Sequence, residues 1–198
     1  VRRILLWTFG AITLLVVVLV SLVLVRAGGV DALPPPDPAL AIEMPGGQSM
    51  PLAEVVDRAR QGTLPKPTLP PVEPLLGSEP LDIEGEEGPI TILERGPFPM
   101  LHGVPIVPDD PVYALAEIAR WEGRNEQALA LYLSIPPDNE HYARSRRIVA
   151  WELLARDLDR PEQAVAYANQ AVRADPFNGN AWQDWARVYG KSLGLPLH

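Results

Sequence analysis

Apolar and polar positions divide the chain into three stretches with different rhythms. From Ile4 to Val25 all 22 positions are uncharged, and most are Leu, Val or Ile. From about Val30 to Asp110 the apolar residues come in short bursts between prolines and glycines. From Pro111 onward they recur at the three- and four-residue spacing of helices that bury one face. Five helices are predicted there, near 111–122, 125–135, 140–157, 161–174 and 180–190. The middle stretch holds one further amphipathic run, "SMPLAEVVDRARQG", predicted as a short helix near 50–61. Ser49 is its expected N-cap, Leu52, Val55, Val56 and Ala59 its apolar stripe, and Gly62 its terminator. "LDIEGEEGPITILERG" offers two alternating runs around Gly85 to Gly88, expected as a hairpin.

The uncharged run would measure roughly 33 Å as a helix, close to the hydrocarbon thickness of a bilayer. A cleaved signal peptide would have a shorter apolar region of about 7–15 residues and a small-x-small site after it, which Arg26 interrupts. The expectation is therefore a retained single transmembrane helix within 1–28, touching lipid through residues 4–25. Arg2 and Arg3 precede the run, and after Arg26 no Lys or Arg occurs until Arg58. Positive flanks stay on the cytoplasmic side, so the N-terminus is expected inside and the rest outside. In a bacterial inner membrane that places the C-terminal part in the periplasm. Gly10, Thr13 and Ser21 would form a notch of small residues, and the run has no His, Asp or Glu to bind a pigment or carry protons.

Proline placement changes the picture of the middle. Of 23 prolines, 18 fall between Pro34 and Pro111, where they bar regular helices and central strands. Residues 29–110 are expected as an extended, partly polyproline strap. Its clusters Leu75–Leu76, Ile90–Leu93 and Phe98–Leu101 are too apolar for a solvated linker, and suggest docking along a partner. Charge follows the same partition. Residues 31–111 carry 14 acids against four bases, and residues 112–198 carry 11 against 10, within an overall −8. Nucleic acid is excluded as a partner, since phosphate binding needs clustered Lys and Arg. The chain has no cysteine, which removes disulfides, thiolate metal sites and thiol catalysis.

The helical part repeats. Gly123 and Ala128 align with Asp159 and Ala164 at an offset of 36 residues, and Ile148 aligns with Trp182 at 34. The first copy, "PVYALAEIARWEGRNEQALALYLSIPPDN", carries Leu115, Ala116, Gly123, Ala128 and Tyr132 at the repeating positions. The second, "SRRIVAWELLARDLDRPEQAVAYANQAVRADPFN", carries Trp151, Ala155, Ala164, Ala168, Ala171 and Pro176. A third, "GNAWQDWARVYGKSLGLP", supplies one helix with Trp182, Trp185, Ala186 and Tyr189. This pattern resembles the tetratricopeptide repeat family over about 85 residues. It departs at Glu152, usually small, at Ala119 and Ala155, usually aromatic, and at Pro136–Pro137, which lengthen the first boundary. The resemblance implies an all-α stack of helical hairpins over 111–198 that binds peptides or protein surfaces. The named small and aromatic residues are expected in its core, with Trp185 inward and Gln183, Asp184 and Arg187 outward.

Little in the chain suggests catalysis. His102, His141 and His198 lack a second ligand at helical spacing, no serine sits in a nucleophile turn, and "DIEGEE" lacks the ligand spacing of a calcium loop. No cofactor, metal or catalytic residue is expected. "HYARSRR" (His141, Arg144, Arg146, Arg147) is a basic patch suited to an acidic partner, and Phe98, Met100 and Leu101 are candidate apolar partner contacts. The expected function is a non-catalytic accessory or assembly subunit of a bacterial inner-membrane complex, respiratory or photosynthetic, touching that integral complex or its periplasmic subunits. The alternative is a membrane-tethered periplasmic chaperone or cytochrome maturation factor.

Overall fold

The computed structural model describes residues 32–67, 96–98, 100–101 and 104–195. Its elements are strands β1 (Ala41–Glu43) and β2 (Ser49–Pro51), helix α1 (Leu52–Arg60), strands β3 (Met100–Leu101) and β4 (Val104–Pro105), and then a helical series. That series is α2 (Pro111–Trp121), α3 (Asn125–Ser134), α4 (Tyr142–Arg147) running into a π-helical stretch π1 (Ile148–Asp157), α5 (Pro161–Ala174) and α6 (Gly179–Ser192). Among the described residues the chain divides into two compact units, one within 35–145 and one within 146–195 that also takes in residues 32–34.

The described residues are mostly helical, with two short antiparallel hairpins, β1–β2 and β3–β4, beside the helices. One expectation of fold class is corrected, the single transmembrane helix: among the described residues no helix is long and apolar enough to cross a membrane. The longest α-helices, α5 and α6, have 14 residues each. That is roughly 21 Å, against a hydrocarbon core of about 30 Å, and both helices carry charged side chains. The single-pass inner-membrane placement, with a periplasmic C-terminal part, falls with that finding. Residues 4–25, on which it and the lipid contact rested, lie outside the described residues, as do His102, His198 and the hairpin expected around Gly85 to Gly88.

In the unit 35–145, part of the proline-rich stretch is built into the fold rather than left extended. Gly46 and Gly47, at φ +103° and +81°, turn the chain in the left-handed region that favours glycine. Ile42 then faces Met50 across the hairpin, and the Met44 N–H donates to the Gln48 carbonyl at 2.7 Å. Ser49 lies in β2, so the expected N-cap is not made; α1 starts after extended Pro51 with no side-chain cap. Ile42, Leu52, Val55 and Leu64 are buried, and α1 packs on α2 and α3. The Arg124 guanidinium donates to the Glu43 carbonyl, and the Gln127 side chain accepts from the Glu43 N–H. Helix α2 opens on Asp110, whose carboxylate accepts from the Tyr113 N–H at 2.9 Å, with Pro111 in its first turn.

In the second unit, π1 and α5 form one packed pair and α6 lies on both. The sequence pattern suggested a regular helix through 157, but Ile148–Ala150 and Leu153–Ala155 are two buried triplets five residues apart. An α-helix would rotate the second triplet away from the first. Hydrogen bonds reaching five residues back widen the spiral and keep both inward; the Leu158 N–H to Leu153 carbonyl bond at 2.8 Å has this span. The other helical spans agree with the expected ones to within about two residues.

Candidate functional site

Helix α6 is held by one side and bare on the other. Asn178 begins it, its side-chain oxygen accepting from the Asn180 and Ala181 N–H groups at 3.1 and 3.4 Å, while its amide donates to Asp175. The inward side carries Ala181, Asp184 and Val188, all buried. Asp184 was expected outward. It is instead 6% exposed, its carboxylate accepting from Arg147 at 3.3 Å and from Arg187 at 3.1 Å. Arg187 in turn lies 5.5 Å from the centre of the Trp151 ring. At the far end Lys191 donates to the Ala155 carbonyl and pairs with Asp159 at 2.9 Å. These charged bonds tie α6 to the end of α4, to π1 and to the turn after it.

Trp182 projects from the solvent side of α6, while Trp185 and Tyr189 flank the helix toward α5. Trp182 is 48% exposed, although it was expected in the core, and Phe177 in the turn before the helix is 96% exposed. The Trp182 indole N–H donates to the Pro176 carbonyl at 2.9 Å, which lays the ring beside the turn bearing Phe177. Trp185 is half-buried; its indole N–H donates to Asn169 at 2.9 Å, and the Tyr189 hydroxyl reaches the same oxygen at 3.3 Å. The rings run in sequence, Trp182 to Trp185 at 5.9 Å and Trp185 to Tyr189 at 4.3 Å. Leu193 and Leu195 follow, each 56% exposed. Both indole N–H groups are satisfied within the protein, so the surface left to solvent is hydrocarbon. Patches of this kind on a folded surface mark contact sites.

In the other unit, polar groups are gathered but enclosed. Glu117, 3% exposed, accepts from the Tyr113 hydroxyl at 2.6 Å and from Arg120 at 2.7 Å. Burial, and then the Glu117 carboxylate, push the Tyr113 phenol far above its usual range; burial does the same for Tyr132. His141 stacks on Tyr113 at 4.2 Å, and the Arg144 guanidinium lies 5.9 Å from the same ring. A cleft of about 200 Å³ nearby is lined by Val56, Ala59, Val112 and Ile135 together with Arg60 and Asn139. Asp110, also on its wall, is bonded to the Tyr113 N–H and to Asn139. Among the described residues no cluster of His, Cys, Asp and Glu could hold a metal ion.

The residues singled out from sequence are thus distributed unevenly. Of the basic run, Arg144 alone is exposed; Arg146 is buried, Arg147 serves Asp184, and His141 covers Tyr113. Phe98 is buried against Ala114 and Ile118 rather than displayed, while Met100 and Leu101 form β3. Leu115, Ala116, Ala128, Tyr132, Ala155, Ala164, Ala168 and Ala171 are buried, and Trp151 is half-buried. Gly123 is exposed at φ +75°, so it terminates α2 rather than filling the core. Phe177 was missed, although a large apolar residue between D-P and N-G turn signals is a legible sign of exposure. No protein-family model, curated protein or solved structure matches the chain.

Proposed function

We propose that the protein is a non-catalytic interaction module of the tetratricopeptide-like kind, an accessory or assembly subunit that binds another protein through the outer face of α6. The observation that supports this reading is the run of exposed apolar side chains from Phe177 through Trp182 to Leu193. Phe177 and Trp182 alone leave on the order of 300 Å² of ring surface in water. Removing such a surface from solvent contributes roughly 25 cal/mol per Å². A helix face of this size contributes a useful share of binding energy when covered. The helix itself is fixed from behind by Asp184, Arg147 and Lys191, so it meets a partner already ordered.

The test is co-purification of the full chain under gentle conditions, compared with the variant Trp182→Asp, Phe177→Ser. Both positions are exposed, so helix content is expected to stay unchanged in circular dichroism. The reading expects a protein present in fixed proportion with the natural chain and lost from the variant. Equal recovery with both chains, or no stoichiometric protein with either, overturns it.

A further inference from the structure

We infer that the side of α5 marked by Gln163 and Tyr167 is a docking site for extended Leu-Pro-Pro segments, and that the chain fills it with its own Leu33 and Pro34. The Tyr167 hydroxyl, on a side chain only 3% exposed, accepts from the Leu33 N–H at 3.0 Å across 134 residues of sequence. Leu33 itself is half-buried. Pro34, Pro35 and Pro36 have no N–H, so Leu33 holds the last backbone donor before Asp37, and that donor is spent on α5. A residue before proline is confined to extended backbone, which makes no hydrogen bonds to itself. Docking such a segment therefore costs little ordering, which is why proline-rich chains serve as ligands of aromatic surfaces.

A second feature of α5 points to a bound chain. The side-chain oxygen of Gln163 is buried and finds no hydrogen-bond partner among the described residues. Gln163 and Tyr167 are four residues apart in one helix, hence neighbours on one side of it. An acceptor shut away from water calls for a donor, and an extended backbone beside Tyr167 carries N–H groups of the kind it lacks. Leu33 thus uses only part of the site, which leaves it open to a competing ligand. This side is separate from the α6 face. Asn169, which bonds Trp185 and Tyr189 of α6, lies two residues and about 200° further round α5. The sequence also supplies the same ligand twice. Residues 33–38 read Leu-Pro-Pro-Pro-Asp-Pro, and residues 69–74 read Leu-Pro-Pro-Val-Glu-Pro. The acid has its own task in the first copy, where Asp37 accepts from the Ala39 N–H at 2.9 Å and turns the chain. Recognition by α5 is therefore assigned to Leu-Pro-Pro.

The test is fluorescence anisotropy with the full chain and a labelled peptide of residues 30–38. The tethered copy competes at an effective concentration on the order of millimolar, so the unaltered chain is expected to bind the peptide weakly. Leu33→Gly with Pro34→Gly, which loosens the tethered copy, is expected to bind it about tenfold more tightly. Adding Tyr167→Phe, which removes a hydroxyl and keeps the ring, is expected to weaken that binding about fivefold, with helix content unchanged in circular dichroism. An unlabelled peptide of residues 67–75 is expected to displace the labelled one, and a scrambled peptide to leave it bound. In the otherwise unaltered chain, Tyr167→Phe is expected to speed hydrogen exchange of the Leu33 amide about fivefold; an unchanged rate overturns the contact within the chain. Equal affinity of the unaltered chain and the glycine variant, or equal binding with and without the Tyr167 hydroxyl, overturns the site. Displacement by the scrambled peptide, or none by residues 67–75, overturns recognition of Leu-Pro-Pro. The α6 face, on another helix, stands or falls separately.

Discussion

Glu117 shows how a single residue organises the unit 35–145. It is almost fully buried and accepts hydrogen bonds from Tyr113 and Arg120, while Tyr132 packs edge-on to Tyr113 at 5.8 Å. Burial first, and then the nearby carboxylate, raise the folded-state pKa of Tyr113 above its ordinary 10.0. Tyr132 is raised in the same sense and for the same reasons. A raised tyrosine contributes stability that is complete below pH 10 and is lost as pH climbs from there toward the folded value. The slope limit is about 1.4 kcal/mol per pH unit for each tyrosine. Urea denaturation is expected to give a midpoint that falls above pH 10, and Tyr113→Phe is expected to make that fall shallower. An identical alkaline slope in the variant would show that Tyr113 does not titrate with unfolding.

At the scale of elements, the attachment of α6 depends on charge as much as on packing. Asp184 stands between Arg147 and Arg187, and removing its carboxylate leaves two guanidinium groups without that acceptor. Asp184→Ala is expected to destabilise the unit by about 1–2 kcal/mol, less than for a fully buried pair because both arginines are partly exposed, seen as a lower thermal midpoint. Asp184→Asn, which keeps an acceptor oxygen, is expected to lose less. Equal melting of all three proteins would contradict the latch.

The helices of 111–192 were legible because their apolar spacing is strong and D-P, G-R-N and D-P-F-N turns punctuate it. The β1–β2 hairpin was obscured by its prolines, although "MPGGQ" holds the two glycines that its turn requires. The π-helical stretch was legible only as a misfit, two apolar triplets five residues apart where helical periodicity would have them closer. The orientation of α6 was read about one residue, roughly 100°, out of phase. Tryptophans at repeat positions suggest a core, yet Asp184 takes the inward place because Arg147 is there to receive it. That partner is 37 residues away in sequence and invisible to any local pattern.

At the scale of the whole molecule, the division of labour differs from the one composition suggests. The proline-rich stretch is not wholly a strap, since residues 35–67 are built into a unit with α2 and α3. The basic run is mostly spent on internal contacts. Phe177, Trp182, Leu193 and Leu195 are exposed on α6 and the turns flanking it, Trp121 and Ile106 are exposed elsewhere, and the proposed binding role rests on the first group. The most direct measurement is hydroxyl-radical footprinting of Trp182 and Phe177, comparing the protein in its native extract with the same chain purified and diluted. Both side chains are expected to be protected in the extract and readily oxidised on dilution, while the buried Tyr132 stays protected in both. Equal oxidation of Trp182 and Phe177 in the two states would mean that nothing covers α6, and would contradict the proposed binding role.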